Sequence, residues 1–185
     1  MKPLRDLVLY ASLALGANAA AADTAALEAL REGTMKKLFF HDEPRTTTDA
    51  IFIGADGNDL SLAAFEGKHI VLNFWATWCA PCRKEMPALS ELQSEFGDDD
   101  FEVVTVASGR NPEAAMTRFF DEIEVDNLPL HRDPKKNLSI DMAVLALPVT
   151  VIIDPEGNEI ARMQGDADWD GESAKAIIAA LKSGE

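Results

Sequence analysis

Length, composition and charge narrow the classes of protein to which this chain can belong. With 185 residues, 47% of them hydrophobic and 26% charged, the chain fits one folded globular domain with a short extension rather than a disordered protein. Its formal net charge of -15 disfavours nucleic acid and anionic lipid as partners, because both carry negative charge themselves.

The N-terminal segment has the pattern of an export signal. Lys2 and Arg5 precede a run of apolar and small residues at 7–17, and small residues at 18–22 offer cleavage sites. The run is much shorter than the roughly 20 apolar residues that a transmembrane helix needs. We therefore predict a signal peptide over residues 1–22, with an uncleaved membrane anchor as the alternative.

The rest of the chain divides into a predicted N-terminal extension, residues 23–45, and a main domain, residues 46–185. Early in this domain, the turn signal around Gly57 lies between two short apolar segments and predicts a β-hairpin. The nearly continuous apolar run from Ile70 to Trp75 then predicts a strand that is covered on both faces.

Strands and helices alternate after this run, which predicts an α/β fold. A helix is expected to about Phe96, with Pro87 as an internal kink. Asn111, followed by a proline and a glutamate, has the residue type of a helix cap. The other predicted elements are strands at 101–106, 128–131, 149–153 and 159–163 and helices at 134–142 and 172–181.

The two cysteines, Cys79 and Cys82, lie where the buried strand gives way to this first long helix. A helix N-terminus lowers the pKa of a thiol, because its unpaired N–H groups and dipole favour the thiolate. We therefore predict that Cys79 attacks a substrate disulfide and that Cys82 resolves the mixed disulfide. A structural disulfide is disfavoured because so short a loop adds little stability, and two cysteines cannot form a four-thiolate zinc site.

These residues give the chain a resemblance to the thioredoxin superfamily, and within it to the exported reductases of the TlpA/ResA type. The segment Phe74 to Cys82 is similar to the active-site signature of the family, and Pro87 matches its kinking proline. Leu147-Pro148 resembles its cis-proline loop. The resemblance implies a thioredoxin-like fold: a central mixed β-sheet flanked by helices, with an N-terminal β-hairpin and a helical insertion.

The resemblance also implies which residues bind substrate. A cis peptide bond at Pro148 would leave the backbone of Leu147 free to pair with an extended substrate beside the cysteines, and Leu147 would contribute to substrate choice. The predicted substrate-binding residues are Trp78, Ala80, Pro81, Leu147 and Pro148.

Two further positions bear on proton transfer. Asn73 stands where thioredoxin has a buried aspartate, and an amide cannot accept a proton in that way. Glu85 matches a glutamate near the active site in the TlpA/ResA type, and we predict that it tunes the thiol pKa values or accepts the proton of Cys82. The alternative is an exposed helix carboxylate beside Arg83 and Lys84.

The remaining aromatic and imidazole side chains are interpreted as structural. Trp75 and Trp78 are assigned to packing, with a place on the substrate surface as the other assignment of Trp78, and no functional role is assigned to Trp169. The three histidines show no spacing typical of metal ligands. No metal site and no cofactor are predicted.

The direction of the reaction follows from the residues between the cysteines. Ala80 and Pro81 lack the histidine of strongly oxidising DsbA-like sites, which favours a reductant. By resemblance, the substrates are disulfide-containing exported proteins of the bacterial periplasm, in cytochrome c maturation or in copper-site assembly of a terminal oxidase. The resemblance also implies a membrane thiol-electron donor as a partner.

Two other functions compete with this interpretation. The first is a Cu(I)-binding module that uses both thiolates, although related copper chaperones space their cysteines by three residues and add a histidine. The second is a peroxiredoxin-like antioxidant protein, although the residues before Cys79 lack the proline of the peroxiredoxin pattern.

Overall fold

The computed structural model describes residues 24–184, so the predicted signal peptide lies outside the described residues. The helices are α1 at residues 24–29, α2 (Ala80–Phe96), α3 (Glu113–Glu122), α4 (Asn137–Asp141) and α5 (Glu172–Ser183), with 3-10 helices at Gly33–Lys37 and Leu62–Phe65. The strands are β1 (Phe39–Thr46), β2 (Phe52–Ile53), β3 (Asp59–Leu60), β4 (His69–Trp75), β5 (Phe101–Ser108), β6 (His131–Asp133), β7 (Val149–Ile153) and β8 (Asn158–Gln164).

The eight strands form one mixed sheet in the order β1-β8-β7-β4-β5-β6-β2-β3. β4 and β5 pair in parallel, as do β5 and β6, whereas β7 lies antiparallel to β4 on its other side. The parallel pairs need crossover connections, which α2 and α3 supply. The structure thus confirms the thioredoxin-like α/β fold, including the N-terminal hairpin of β2 and β3 at one edge.

Two predicted elements begin later in the chain than the sequence predicts. The strand predicted at 128–131 begins only at His131, where β6 joins β5. Pro129 has no N–H to give to a strand ladder, which explains the later start. The helix predicted at 134–142 is shorter, Asn137–Asp141.

The central strand β4 separates two hydrophobic clusters, which explains its continuous apolar sequence. Val71 and Trp75 pack into the cluster that contains α2, α3 and α5, and Leu72 and Phe74 pack into the cluster on the opposite face. Because side chains alternate along a strand, Asn73 shares the α2 face with Val71 and Trp75. This alternation directs a buried amide towards the helix that carries the cysteines.

The described part of the predicted extension packs on the domain. Leu27, Met35 and Leu38 are buried in the cluster that contains α2 and α5. Strand β1 is hydrogen-bonded to β8, so the sheet continues across residues 45 and 46. Among residues 24–184, no helix combines the length and the apolar character needed to cross a membrane.

Candidate active site

The cysteine pair lies at the N-terminus of α2, directly after the central strand. Cys79 is the N-cap residue of α2, and a proline occupies its first turn, where a missing N–H costs no hydrogen bond. The two cysteines form a disulfide with their Cα atoms 5.3 Å apart. The backbone N–H of Cys82 donates to Cys79 Sγ at 3.3 Å, so an N–H group of the first turn is aimed at this sulfur.

The two cysteines differ in exposure. Cys79 retains 6% of its surface, whereas Cys82 is fully buried. Around Cys79, the residues Trp78, Ala80 and Pro81 are exposed. Trp78 is 67% exposed, so its assignment to packing is wrong. Of the two cysteines, only Cys79 therefore retains exposed surface, and it lies within an apolar rim.

The Leu147–Pro148 peptide bond is cis, as the resemblance implied. Leu147 is half-buried and Pro148 is buried. Val149, the first residue of β7, pairs with Phe74 near the end of β4. The cis-proline loop therefore lies at the end of the sheet from which the chain leads to the cysteines.

Glu85 lies on α2 one helical turn after Cys82 and is 2% exposed. The exposed-carboxylate alternative is therefore wrong. Its Oε1 accepts a hydrogen bond from the Asn73 amide at 2.8 Å, and its Oε2 accepts from the N–H of Ala167 at 3.2 Å and from the indole N–H of Trp169 at 3.3 Å. Burial raises the pKa of Glu85 to about 7, although these hydrogen bonds oppose the rise.

Asn73 connects this carboxylate to the neighbouring strand. Its Nδ2 donates both to Glu85 and to the Thr150 hydroxyl, the latter at 2.9 Å. Its Oδ1 is buried and has no hydrogen-bond partner within the described part of the chain. The amide thus acts as a donor towards Glu85.

Sequence reasoning missed the role of Asn111, which is not the cap of α3. Pro112 occupies the N-cap position, and the Asn111 side chain turns back to the loop before the cysteines. Its Oδ1 accepts from the Thr77 N–H at 2.8 Å and from the Thr77 hydroxyl at 3.0 Å, while its Nδ2 donates to the Ser108 carbonyl at 2.9 Å. Asn111 therefore joins the end of β5 to the residue two positions before Cys79.

Trp169 was also missed as a partner of the site, because its indole contact joins residues that are 84 positions apart. No local pattern in the sequence indicates that this tryptophan faces Glu85. As for metals, residues 24–184 contain no group of three or more His, Cys, Asp or Glu side chains that could hold an ion.

A mixed sheet in this strand order, with a Cys-x-x-Cys pair after its central strand, belongs to the thioredoxin-like class, and solved structures of that class match the chain. The exposed lipoprotein thioredoxin of Streptococcus pneumoniae is 32% identical and has a TM-score of 0.59, with 74% of this chain and 99% of that chain covered. A DsbF homologue from Corynebacterium diphtheriae is 25% identical with a TM-score of 0.63, covering 80% of this chain and 92% of that chain.

Within that class, the chain belongs to the Redoxin family, whose model matches residues 20–178. It is 40% identical over 102 residues to the thioredoxin-like protein YneN of Bacillus subtilis, which covers 55% of this chain and 59% of that protein. It is 33% identical over 110 residues to the thiol-disulfide oxidoreductase ResA of the same organism, which covers 60% of each. The chain thus spans less than two thirds of these relatives, and the likeness to the TlpA/ResA type is confirmed.

Proposed function

We propose that this protein is a thiol–disulfide oxidoreductase that reduces disulfides of exported proteins through Cys79 and Cys82. The observation that carries the proposal is the pair itself: Cys79, which retains exposed surface at the N-terminus of α2, and the fully buried Cys82, which forms a disulfide with it. Relatives named thiol-disulfide oxidoreductase ResA support the same chemistry.

The reaction is an exchange of two electrons between two dithiol–disulfide pairs. The Cys79 thiolate attacks one sulfur of the substrate disulfide, forms a mixed disulfide and releases the other substrate sulfur as a thiolate. The Cys82 thiolate then attacks Cys79 Sγ, which frees the second substrate sulfur and leaves the Cys79–Cys82 disulfide. A thiol donor must return two electrons before the next turnover.

Glu85 supplies a proton acceptor for the second attack. Cys82 is fully buried, so its thiol cannot lose a proton directly to bulk water while a substrate covers Cys79. A carboxyl whose pKa is raised to about 7 is close to balance between its two protonation states at neutral pH, which suits a general base.

The substrate would contact the apolar rim around Cys79. Trp78, Ala80 and Pro81 are exposed, and the Leu147–Pro148 peptide lies at the same end of the sheet. Since the exposed parts of this rim are mostly uncharged, an extended and partly apolar polypeptide fits it better than a charged small molecule.

The proposed location is the bacterial periplasm, and the proposed electron donor is a membrane thiol carrier. The export pattern of residues 1–22 supports this location. The pneumococcal relative is named an exposed lipoprotein, which also fits an exported protein. Cytochrome c maturation and copper-site assembly of a terminal oxidase are the two proposed processes, as the likeness to the TlpA/ResA type implies.

The reduction potential of the purified protein tests the direction. The cysteine pair is equilibrated with defined thiol–disulfide buffers, and the fraction of disulfide is read by alkylation and mass spectrometry. We expect a value near or below that of thioredoxin, about -270 mV, whereas a value near that of DsbA, about -120 mV, would contradict a reductase.

Two cysteine variants test the assigned roles. Cys79→Ser should form no mixed disulfide with a disulfide-containing peptide, because the reachable nucleophile is gone. Cys82→Ser should accumulate that mixed disulfide, because the resolving thiol is missing. Equal trapping by both variants would contradict the assignment.

A further inference from the structure

The loop between β8 and α5, residues 165–171, provides two of the three hydrogen bonds to the buried Glu85 carboxylate. The N–H of Ala167 and the indole N–H of Trp169 both donate to Oε2. Trp169 is fully buried, so its indole has no water to return to if this bond is lost. The bond to Glu85 is therefore what satisfies this buried indole N–H.

We propose that Trp169 is a positioning residue, whose indole N–H holds the Glu85 carboxylate on the cysteine side of α2 and favours its ionised form. For catalysis, this inference rests on the proposed function, in which Glu85 accepts the proton of Cys82. The bond itself exists independently of that role, so the two can be tested separately.

The charged groups around the Glu85 carboxylate leave its hydrogen bonding to neutral donors. Lys84 of α2 and the side chains of Asp166, Asp168 and Asp170 line a cavity of about 450 Å³ together with Glu85. Lys84 Nζ lies 3.5 Å from Asp166, and the negative charge of Asp166 adds to the rise in the pKa of Glu85. No cation is within salt-bridge distance of Glu85 in the described part of the chain, so neutral N–H groups alone compensate its charge.

The N-terminal segment holds the loop that carries Trp169. The Thr34 hydroxyl accepts a hydrogen bond from the N–H of Asp168 at 3.0 Å, and Lys37 Nζ donates to the carbonyl of Asp166. These contacts fix the residues on both sides of Ala167. The position of the indole is thus set by its own packing and by a segment outside the central sheet.

A titration of the oxidised protein tests the proposal without interference from thiols, because disulfide-bonded cysteines do not titrate. The Glu85 carboxyl resonance is followed by ¹³C NMR and assigned with Glu85→Gln. Trp169→Phe keeps a ring in the core but removes the N–H. We expect its Glu85 midpoint to rise by about one pH unit above that of the wild type.

Trp75→Phe is the matched control. The Trp75 indole is also fully buried, but its N–H has no hydrogen-bond partner among the described residues, so its loss should leave the Glu85 midpoint in place. An equal shift in both variants would assign the effect to altered packing and overturn the proposal.

A second measurement needs no variant in the core. The indole ¹H–¹⁵N resonance of Trp169 in the wild type should move with the Glu85 midpoint, while those of Trp75 and Trp78 should not. If the Trp169 resonance stays constant while Glu85 titrates, the proposal is wrong. A protein that shows this coupling but exchanges no disulfides would retain the positioning role and contradict only the proposed function.

Discussion

Two buried carboxylates in different regions of the molecule differ in the kind of group that donates hydrogen bonds to them. Glu85, near the cysteines, is 2% exposed and receives hydrogen bonds from uncharged donors. Glu159, at the β1–β8 edge, is 5% exposed but accepts hydrogen bonds from Nε and Nη2 of Arg162, at 2.8 and 2.7 Å, and lies 2.7 Å from His41 Nε2. The two carboxylates are thus similarly buried but have different hydrogen-bond donors.

This difference in partners reverses the effect on the pKa. At Glu159, burial alone would raise the pKa, but the hydrogen bonds and charges of Arg162 and His41 lower it below its ordinary value of 4.5. At Glu85, burial prevails and the pKa is raised to about 7. A neighbouring cation keeps a buried carboxyl ionised, whereas neutral donors leave the carboxyl able to exchange a proton near neutral pH.

The largest expected effect is on the pH dependence of stability in Glu85→Gln. Below pH 4.5 the carboxyl is protonated in both folded and unfolded states. As the pH rises towards about 7, the unfolded chain loses this proton while the folded protein keeps it, so wild-type stability falls by about 3 kcal/mol from this group.

Denaturant unfolding of the oxidised protein between about pH 4.5 and pH 8 measures this effect. The variant should gain about 3 kcal/mol relative to the wild type across that range, because glutamine does not ionise. A difference between the two proteins that does not change with pH would show that Glu85 is not a raised carboxyl.

Glu159→Gln should have the opposite pH dependence. Because its folded pKa is lowered, Glu159 contributes stability above pH 4.5 that is lost as the pH falls through the folded value. The variant should therefore be less stable at pH 7, by about 2 kcal/mol, since it leaves Arg162 and His41 without their anion. Arg162 is 25% exposed, which keeps the cost below that of a fully buried ion pair. The same unfolding series measures it, and a larger deficit at acid pH than at pH 7 would contradict the pairing.

Asn73→Asp would replace a neutral donor to Glu85 by a second carboxylate. The atom it replaces lies 2.8 Å from Glu85 Oε1, so the two groups would share one proton. The upper midpoint of the pair should rise above the wild-type Glu85 value by about one pH unit or more. Carboxyl ¹³C NMR of the oxidised protein detects it, with Thr150→Val as a control that removes a partner of Asn73 without adding charge. An unchanged upper midpoint would show that the Asn73 contact does not control Glu85.

The site features that the sequence predicted are those encoded locally. The buried strand β4, the cysteine pair and the start of α2 lie within fourteen consecutive positions, His69 to Cys82, and each follows from residue type and spacing. Glu85 lies one turn further on the same helix. The burial of Glu85 was not predictable from its two basic neighbours, because α2 directs it towards β4 and the loop at 165–171.

Features that depend on tertiary register were not predictable. Glu159 and Arg162 are three residues apart, which would place them on opposite faces of a regular strand. They meet because the pairing of β8 with β7 shifts at Ile160, which lies between the partners of Ile152 and Ile153. Asn111 fails as a predicted cap for a similar reason, since the amide has better partners in the loop before the cysteines.

The smallest expected effect comes from Asn111→Ala, which separates the geometry of the cysteine loop from the chemistry of Glu85. The variant loses an acceptor for the Thr77 N–H and a donor to the Ser108 carbonyl. We expect a loss of stability of about 1 kcal/mol and a loss in the rate of Cys79 exchange of about threefold to tenfold. The Glu85 midpoint should not move, because Asn111 contacts neither the carboxylate nor its donors.

Asn127→Ala is the control for that variant, because its amide makes comparable bonds at a distance from the cysteines. Its Nδ2 donates to the Ser90 carbonyl at 2.9 Å and to the Ser94 hydroxyl at 2.8 Å, further along α2. It should lose a similar amount of stability in denaturant unfolding but keep the rate at which reduced Cys79 reacts with a disulfide reagent. If the reaction of Cys79 slows by the same factor in both variants, the effect is caused by a lower stability of α2 as a whole. A loss confined to Asn111→Ala would show that the loop before Cys79 has a support of its own, independent of the buried carboxylate.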